Sequence, residues 1–225
     1  TETIEPFDDH PGECRIGSER LSDLQLEALR SSEMTLEDVD SAESIIDEGE
    51  HLVFEDRLYF TPELVAAFVK ASRGHSAPTR CCLKPGLTTQ RSIVATQGVR
   101  TEQDAIEYGM QYVPKGHREG PAQRVVIDPD QDDGAVRVRI PRSLTLGEAY
   151  FLPMTRQYVI RIDHWTNLWT ANIFYLTSMV ARLRQAPKWR HALLVIRARS
   201  LNRWKVYRQT NRIGRDCDIH PTAYV

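Results

Sequence analysis

Apolar positions along the chain come in short blocks whose spacing alternates between helical and extended. Leu21, Leu24, Leu26 and Leu29 predict a short helix with Ser22 or Asp23 near its start. The acidic stretch 35–50 predicts a second helix, capped by Thr35 with Asp38 three residues later, while Ile45 and Ile46 lean towards a strand. Leu52-Val53-Phe54 reads as a buried strand with Glu55-Asp56 at its carboxyl end. Thr61-Pro62-Glu63 is a strong helix start, because it supplies a capping hydroxyl, a proline where no N–H is needed, and an acid at the positive end of the dipole. Leu64, Val65, Phe68 and Val69 then form that helix's apolar face.

Residues 74–91, punctuated by Gly74, Pro78, Pro85 and Gly86, read as loop. A strand is expected at Ser92-Ile93-Val94-Ala95, and a helix from Thr101 through Glu102, Ala105, Ile106 and Tyr108. Val125-Val126-Ile127 precedes an acidic turn, and Val136, Val138 and Ile140 alternate with Arg137, Arg139 and Pro141 as a half-buried strand does. Tyr158-Val159-Ile160-Arg161-Ile162 is a further strand. It leads into a long helix from Asp163 that Pro187 ends, followed by a basic, apolar helical stretch. Strand, acidic turn and helix in succession predict an α/β fold, whose strand ends are where ligands gather.

With 225 residues, 41% hydrophobic and 27% charged, the chain suits one substantial core or a domain with an appendage. The net charge of −2 conceals an asymmetry: residues 1–63 carry nineteen acids against four bases, and residues 182–215 carry eleven Lys or Arg and no acid. That pattern reads as a solvated helix face plus a docking surface between the two ends, or as an acidic N-terminal face and a basic segment suited to phosphate, an anionic membrane or an acidic partner. Cys14, Cys81, Cys82 and Cys217 show no CxxC spacing and no metal quartet, which fits a reducing, cytoplasmic compartment. No run reaches the ~18 apolar residues of a spanning helix. The start at Thr1, without a basic and apolar leader, agrees with a trimmed fragment.

The last residues carry two hexads. Ile213, Ile219 and Val225 occupy an aliphatic place at intervals of six, and Cys217 and Ala223 take a small place four residues after Ile213 and Ile219. This resembles the hexapeptide-repeat, left-handed β-helix transferases, in which the aliphatic residue faces the inside of a triangular prism. Two hexads cannot close one turn, so the resemblance implies that residues 206–225 begin a prism that continues beyond Val225 and trimerises. Residues 1–205, with a basic helical neck, then resemble the divergent sugar-nucleotidyltransferase domain that precedes such a prism, which implies a mixed sheet with flanking helices.

By that resemblance Asp56 and one of Asp163 or Asn172 form a metal-facing pair for Mg²⁺, and the substrate is a sugar nucleotide or an acyl donor. The family's glycine-rich, basic phosphate loop has no counterpart in residues 1–50, so either it lies upstream of Thr1 or the domain has lost the activity. Each candidate also has a plainer role: Asp56 solvating a turn, and Asp163 capping the long helix. His220 is a base in the resemblance, though the outer face of a first hexad more often carries a plain polar residue; Lys84 and Lys115 are loop lysines able to meet phosphate.

A rival class is a non-enzymatic interaction module. Trp165, Trp169, Phe174 and Tyr175, next to Arg182, Arg184, Lys188 and Arg190, read either as core packing or as an aromatic and basic surface peripheral to the inner membrane, with Trp189 and Trp204 adding to it. No nucleic-acid fold is recognisable.

Overall fold

The computed structural model describes residues 3–4, 10–32, 34, 49–117, 121–130, 135–138, 150–153, 155–185 and 188–199. The chain divides into two compact units, Thr1–Ser178 and Met179–Val225. The expected second helix over 35–50 falls mostly outside the described residues, as do the boundary at 205, the hexads with Ile213, Ile219 and Val225, and His220.

In the first unit a 3-10 turn at Pro11–Glu13 leads into the short hairpin β1 (Arg15–Ile16) and β2 (Glu19–Arg20). Helix α1 (Leu21–Arg30) buries Leu21, Leu24, Gln25, Ala28 and Leu29, the i, i+3, i+4, i+7, i+8 stripe of a helix packed on one side. Gln25 is buried because its Nε2 donates to the carbonyls of Asp56 and Leu58, both at 2.8 Å, which pins α1 to the turn between the next two strands.

That turn joins β3 (His51–Phe54) to β4 (Leu58–Phe60), and α2 (Pro62–Ser72) follows at once. Helix α2 starts where the sequence places it: Thr61 Oγ1 accepts from the Leu64 amide at 3.3 Å, and Pro62 takes the first helical position. Its Leu64, Val65, Phe68 and Val69 are all buried, each worth about 1.5–3 kcal/mol of transfer from water.

Residues 74–91, read from the sequence as loop, instead contain β5 (Thr79–Leu83) and the short α3 (Leu87–Arg91). The expected strand at Ser92–Ala95 is a 3-10 turn at Val94–Thr96, entered through Ile93 at φ 53°, a left-handed conformation that closes the strand option. The expected helix from Thr101 is likewise overturned. Arg100–Thr101 is strand β6, the Glu102 amide closes a tight turn onto the Ala105 carbonyl at 2.8 Å, and Ile106–Val113 is the long strand β7. Ile106, Tyr108, Met110 and Tyr112 all enter the same core, the period-two signature of a strand. Strands β8 (Gln123–Ile127), β9 (Ala135–Val138), β10 (Tyr150–Pro153) and β11 (Val159–Arg161) follow, then α4 (Trp165–Gln185) and α5 (Lys188–Ala198).

The main sheet has the order β3-β7-β5-β8, with β6 also paired to β7. Strands β5 and β8 are parallel, and β7 is antiparallel to β3, β5 and β6, so the sheet is mixed. Strands β4 and β11 form a separate antiparallel ribbon and β9 and β10 another. The β4–β11 ribbon separates two cores. Leu58, Phe60 and Val159 point into the core between α1, α2 and the main sheet. Tyr59, Tyr158 and Ile160 point the opposite way, onto Ile16, Leu21, Ala171 and Phe174. Tyr59 and Tyr158 meet edge-on at 5.5 Å with their hydroxyls 3.0 Å apart, and Tyr158 packs on Phe174 at 5.0 Å. The chain is a mixed α/β protein, as the pattern of its elements indicates.

Candidate functional site

The two ends of the β4–β11 ribbon's charged flank come together beside the start of α4. Arg57 precedes β4, Arg161 closes β11, and Asp163 follows two residues later. Arg57 Nη1 donates to Asp163 Oδ1 at 2.6 Å, and the two side chains are only 9% and 20% exposed. The Gly98 amide donates to Asp163 Oδ2 at 2.8 Å. Arg161 Nε lies 3.3 Å from Asp163 Oδ1 and 3.0 Å from Glu55 Oε2, close enough for ionic attraction without a linear hydrogen bond. Its Nη1 donates to the Gly98 carbonyl and its amide donates to Gln97 Oε1 at 2.9 Å. Glu55 lies across the backbone of Gly109 so closely that any Cβ there would run into its carboxylate, which accounts for a glycine in the middle of β7.

Asp163 therefore spends both oxygens inside this network. Capping of α4 falls to its neighbour: His164 Nδ1 accepts from the Thr166 amide at 3.3 Å. Asn167, fully buried, takes the amides of Asp163 and His164 at 3.3 and 3.0 Å and donates to Thr96 Oγ1 at 2.6 Å. The cap expected at Asp163 is thus displaced by one residue, because two arginines draw its carboxylate aside.

A second group lies where the parallel strands β5 and β8 end, the usual position for ligands in such sheets. Lys84 Nζ bonds Asp128 Oδ2 at 2.8 Å, so that the ammonium holds the Asp128 carboxyl below the usual carboxylate range. Asp130 accepts from both the amide and the hydroxyl of Thr88, and Gly86 leaves room for its carboxylate, where a Cβ would collide with it. Thr89 Oγ1 accepts from the Gly86 amide at 2.8 Å and closes the turn. A third group on the sheet joins Arg124 to Glu107 and Glu102; Arg124 lowers the Glu102 carboxyl's pKa, chiefly through a hydrogen bond.

Of the three metal-facing candidates, Asp163 is engaged as described. Asn172 Oδ1 accepts from the Gly17 amide at 2.7 Å while its Nδ2 donates to the Leu168 carbonyl at 2.9 Å, holding the β1–β2 turn against α4. It sits eight residues beyond His164 along a helix, about 12 Å at 1.5 Å per residue. Asp56 is exposed on the β3–β4 turn. Asp163 and Asn172 are thus tied to separate places, and among the described residues no three His, Cys, Asp or Glu side chains converge as a metal site. Lys84 is paired, and Lys115 is exposed in the Pro114–His117 turn.

Sequence reading missed Arg57, Arg161, Thr88, Asp128 and Asp130 as members of these groups. The only available signals were the basic residue after Asp56 and the acidic turn after Ile127.

The aromatic group on α4 splits. Phe174 is buried, and Tyr175 is half-buried with its ring against Gly17, whereas Trp165 and Trp169 are exposed. Among the described residues no helix is long and apolar enough to cross a membrane. No protein-family model, curated protein or solved structure matches the chain.

Proposed function

We propose that residues 1–205 are a degenerate, accessory nucleotidyltransferase-like domain belonging to a hexapeptide-repeat sugar-nucleotidyl or acyl transferase. The observation that carries this reading is the commitment of Asp163 to Arg57, Arg161 and the Gly98 amide. A divalent cation needs hard oxygens that are not already neutralised by guanidinium groups. With the Asp163 carboxylate held in this way and Asn172 bonded to Gly17 and Leu168, no catalytic step is assigned to Mg²⁺. The strand-end group supports the same conclusion: Asp130 already occupies the Thr88 amide, a donor that an incoming phosphate would use, and Lys84 is held by Asp128.

What such a domain keeps is a mixed sheet and two cores. The acyl or sugar donor, and assembly as a trimer, enter this proposal through the hexads of residues 213–225 alone.

The test is pyrophosphate release by the full protein with UTP, ATP or CTP, a sugar 1-phosphate and Mg²⁺, alongside calorimetric titration of each nucleotide. No turnover and no saturable binding are expected, together with a trimer in sedimentation equilibrium. Turnover that Asp163→Asn abolishes would reinstate the active nucleotidyltransferase and end the degenerate reading.

A further inference from the structure

Helix α5 carries an exposed apolar stripe in the most basic part of the chain. Trp189, Leu193 and Ile196 are 59%, 50% and 68% exposed. They stand at i, i+4 and i+7, which places them within an arc of about 60° at 100° per residue. Large apolar side chains so exposed and so aligned are uncommon on a helix that faces only water. Beside them Arg197 and Arg199 are exposed too.

The surrounding sequence supplies the sign of the partner. Residues 182–215 hold eleven Lys or Arg and no acid, so a second copy of this segment would meet like charge along its whole length. The occupant must be anionic and must also accept three apolar side chains on a convex helix face. An anionic bilayer surface meets both demands without a shaped groove. At 11 residues α5 is about 16 Å long, half the ~30 Å hydrocarbon thickness, so it suits lying in the interface and not crossing it. A tryptophan at one end of the stripe and arginines at the other are the side chains that prefer the headgroup boundary.

We propose that α5 docks the protein on an anionic lipid surface, with Trp189, Leu193 and Ile196 entering the headgroup boundary and the flanking basic residues meeting lipid phosphates. The inference is independent of whether the first unit retains nucleotidyl chemistry.

The experiment is sedimentation of the full chain with vesicles of phosphatidylcholine alone or mixed with phosphatidylglycerol, at low and at high sodium chloride. Binding is expected on the anionic vesicles only, falling at least about tenfold at high salt as screening shortens the reach of the charges. Leu193→Ser with Ile196→Ser, and separately Arg197→Glu with Arg199→Glu, are each expected to reduce binding at least about tenfold with helix content unchanged by circular dichroism. Brominated phosphatidylglycerol should quench tryptophan emission, and Trp189→Phe should diminish that quenching. The proposal is overturned by absence of binding at low salt, by equal binding to neutral vesicles, or by full binding of the folded arginine variant. Lipid-free self-association that the Leu193 and Ile196 changes abolish, with no vesicle binding, overturns it in favour of a second copy.

Discussion

Asp163→Ala removes the carboxylate on which Arg57, Arg161 and the Gly98 amide converge. The magnitude follows from burial. Deleting one partner of a buried ion pair costs about 3–5 kcal/mol, since the other charge loses its compensation. Asp163 retains 20% exposure and Arg161 has Glu55 as a second acid, so part of that cost is relieved. About 3 kcal/mol remains. For a unit of this size each kcal/mol moves Tm by about 2–4 °C, so the midpoint should fall by about 6–12 °C. Asp163→Asn keeps an acceptor for Gly98 and should lose about 2 kcal/mol. Thermal and urea unfolding followed by circular dichroism measure both, with an unchanged urea slope confirming that the folded state is affected. A double-mutant cycle with Arg57→Ala should return a coupling of about 1–2 kcal/mol. The reasoning fails if Asp163→Ala stays within about 1 kcal/mol of wild type. It also fails if Mg²⁺ raises the wild-type Tm and Asp163→Asn removes that rise, since Asp163 would then be a ligand.

Four further outcomes are expected. Tyr108→Phe should be neutral or stabilise by about 1–2 kcal/mol in urea unfolding, because the Tyr108 hydroxyl is buried with no hydrogen-bond partner among the described residues; a loss above about 0.5 kcal/mol would contradict this. Gly17→Ala should cost about 1–3 kcal/mol, since Gly17 has φ +65° and a Cβ there would lie 2.5 Å from Tyr175 Cε1. The Glu50 carboxyl's pKa is lowered by hydrogen bonds from Arg73 and then Tyr112, so its stabilisation is present above the ordinary glutamate value and disappears as pH falls through the lower folded one. The stability gap between wild type and Glu50→Gln should therefore close in acid and persist at neutral pH, and a gap independent of pH would refute it. Burial raises the Cys81 thiol's pKa and pushes that of Cys82 up to about 11, so peptide mapping after native iodoacetamide treatment at pH 8 should find both unmodified.

Helices α1 and α2 were legible because their signals are local, whereas the five-residue α3 carries too short a stripe to stand out from the loop around it. Thr61, Pro62 and Glu63 satisfy the end of α2 by themselves, and the α1 stripe repeats within one helix. Strand β7 was hidden by a competing local pattern: Thr101, Glu102 and Ala105 imitate a capped helix start, and the alternation of Ile106, Tyr108, Met110 and Tyr112 outweighs it only when β3 and β5 are present to pair. Strand β5 was hidden for a different reason. It pairs on both sides and buries Thr79, Cys81, Cys82 and Leu83, so no alternation marks it, and Pro78 and Pro85 bracket it like a loop. The same logic explains the charged groups. Arg57 meets Asp163 across 106 positions, and does so only because β4 pairs with β11 at Phe60 and Val159. Lys84 meets Asp128 only because β5 and β8 run parallel in the register that sets Leu83 beside Ile127. A charge beside a turn is indistinguishable in sequence from one solvating that turn until the strand's neighbour is known. Tertiary pairing therefore assigns roles to Arg57, Asp163 and Asp130 that spacing alone could not.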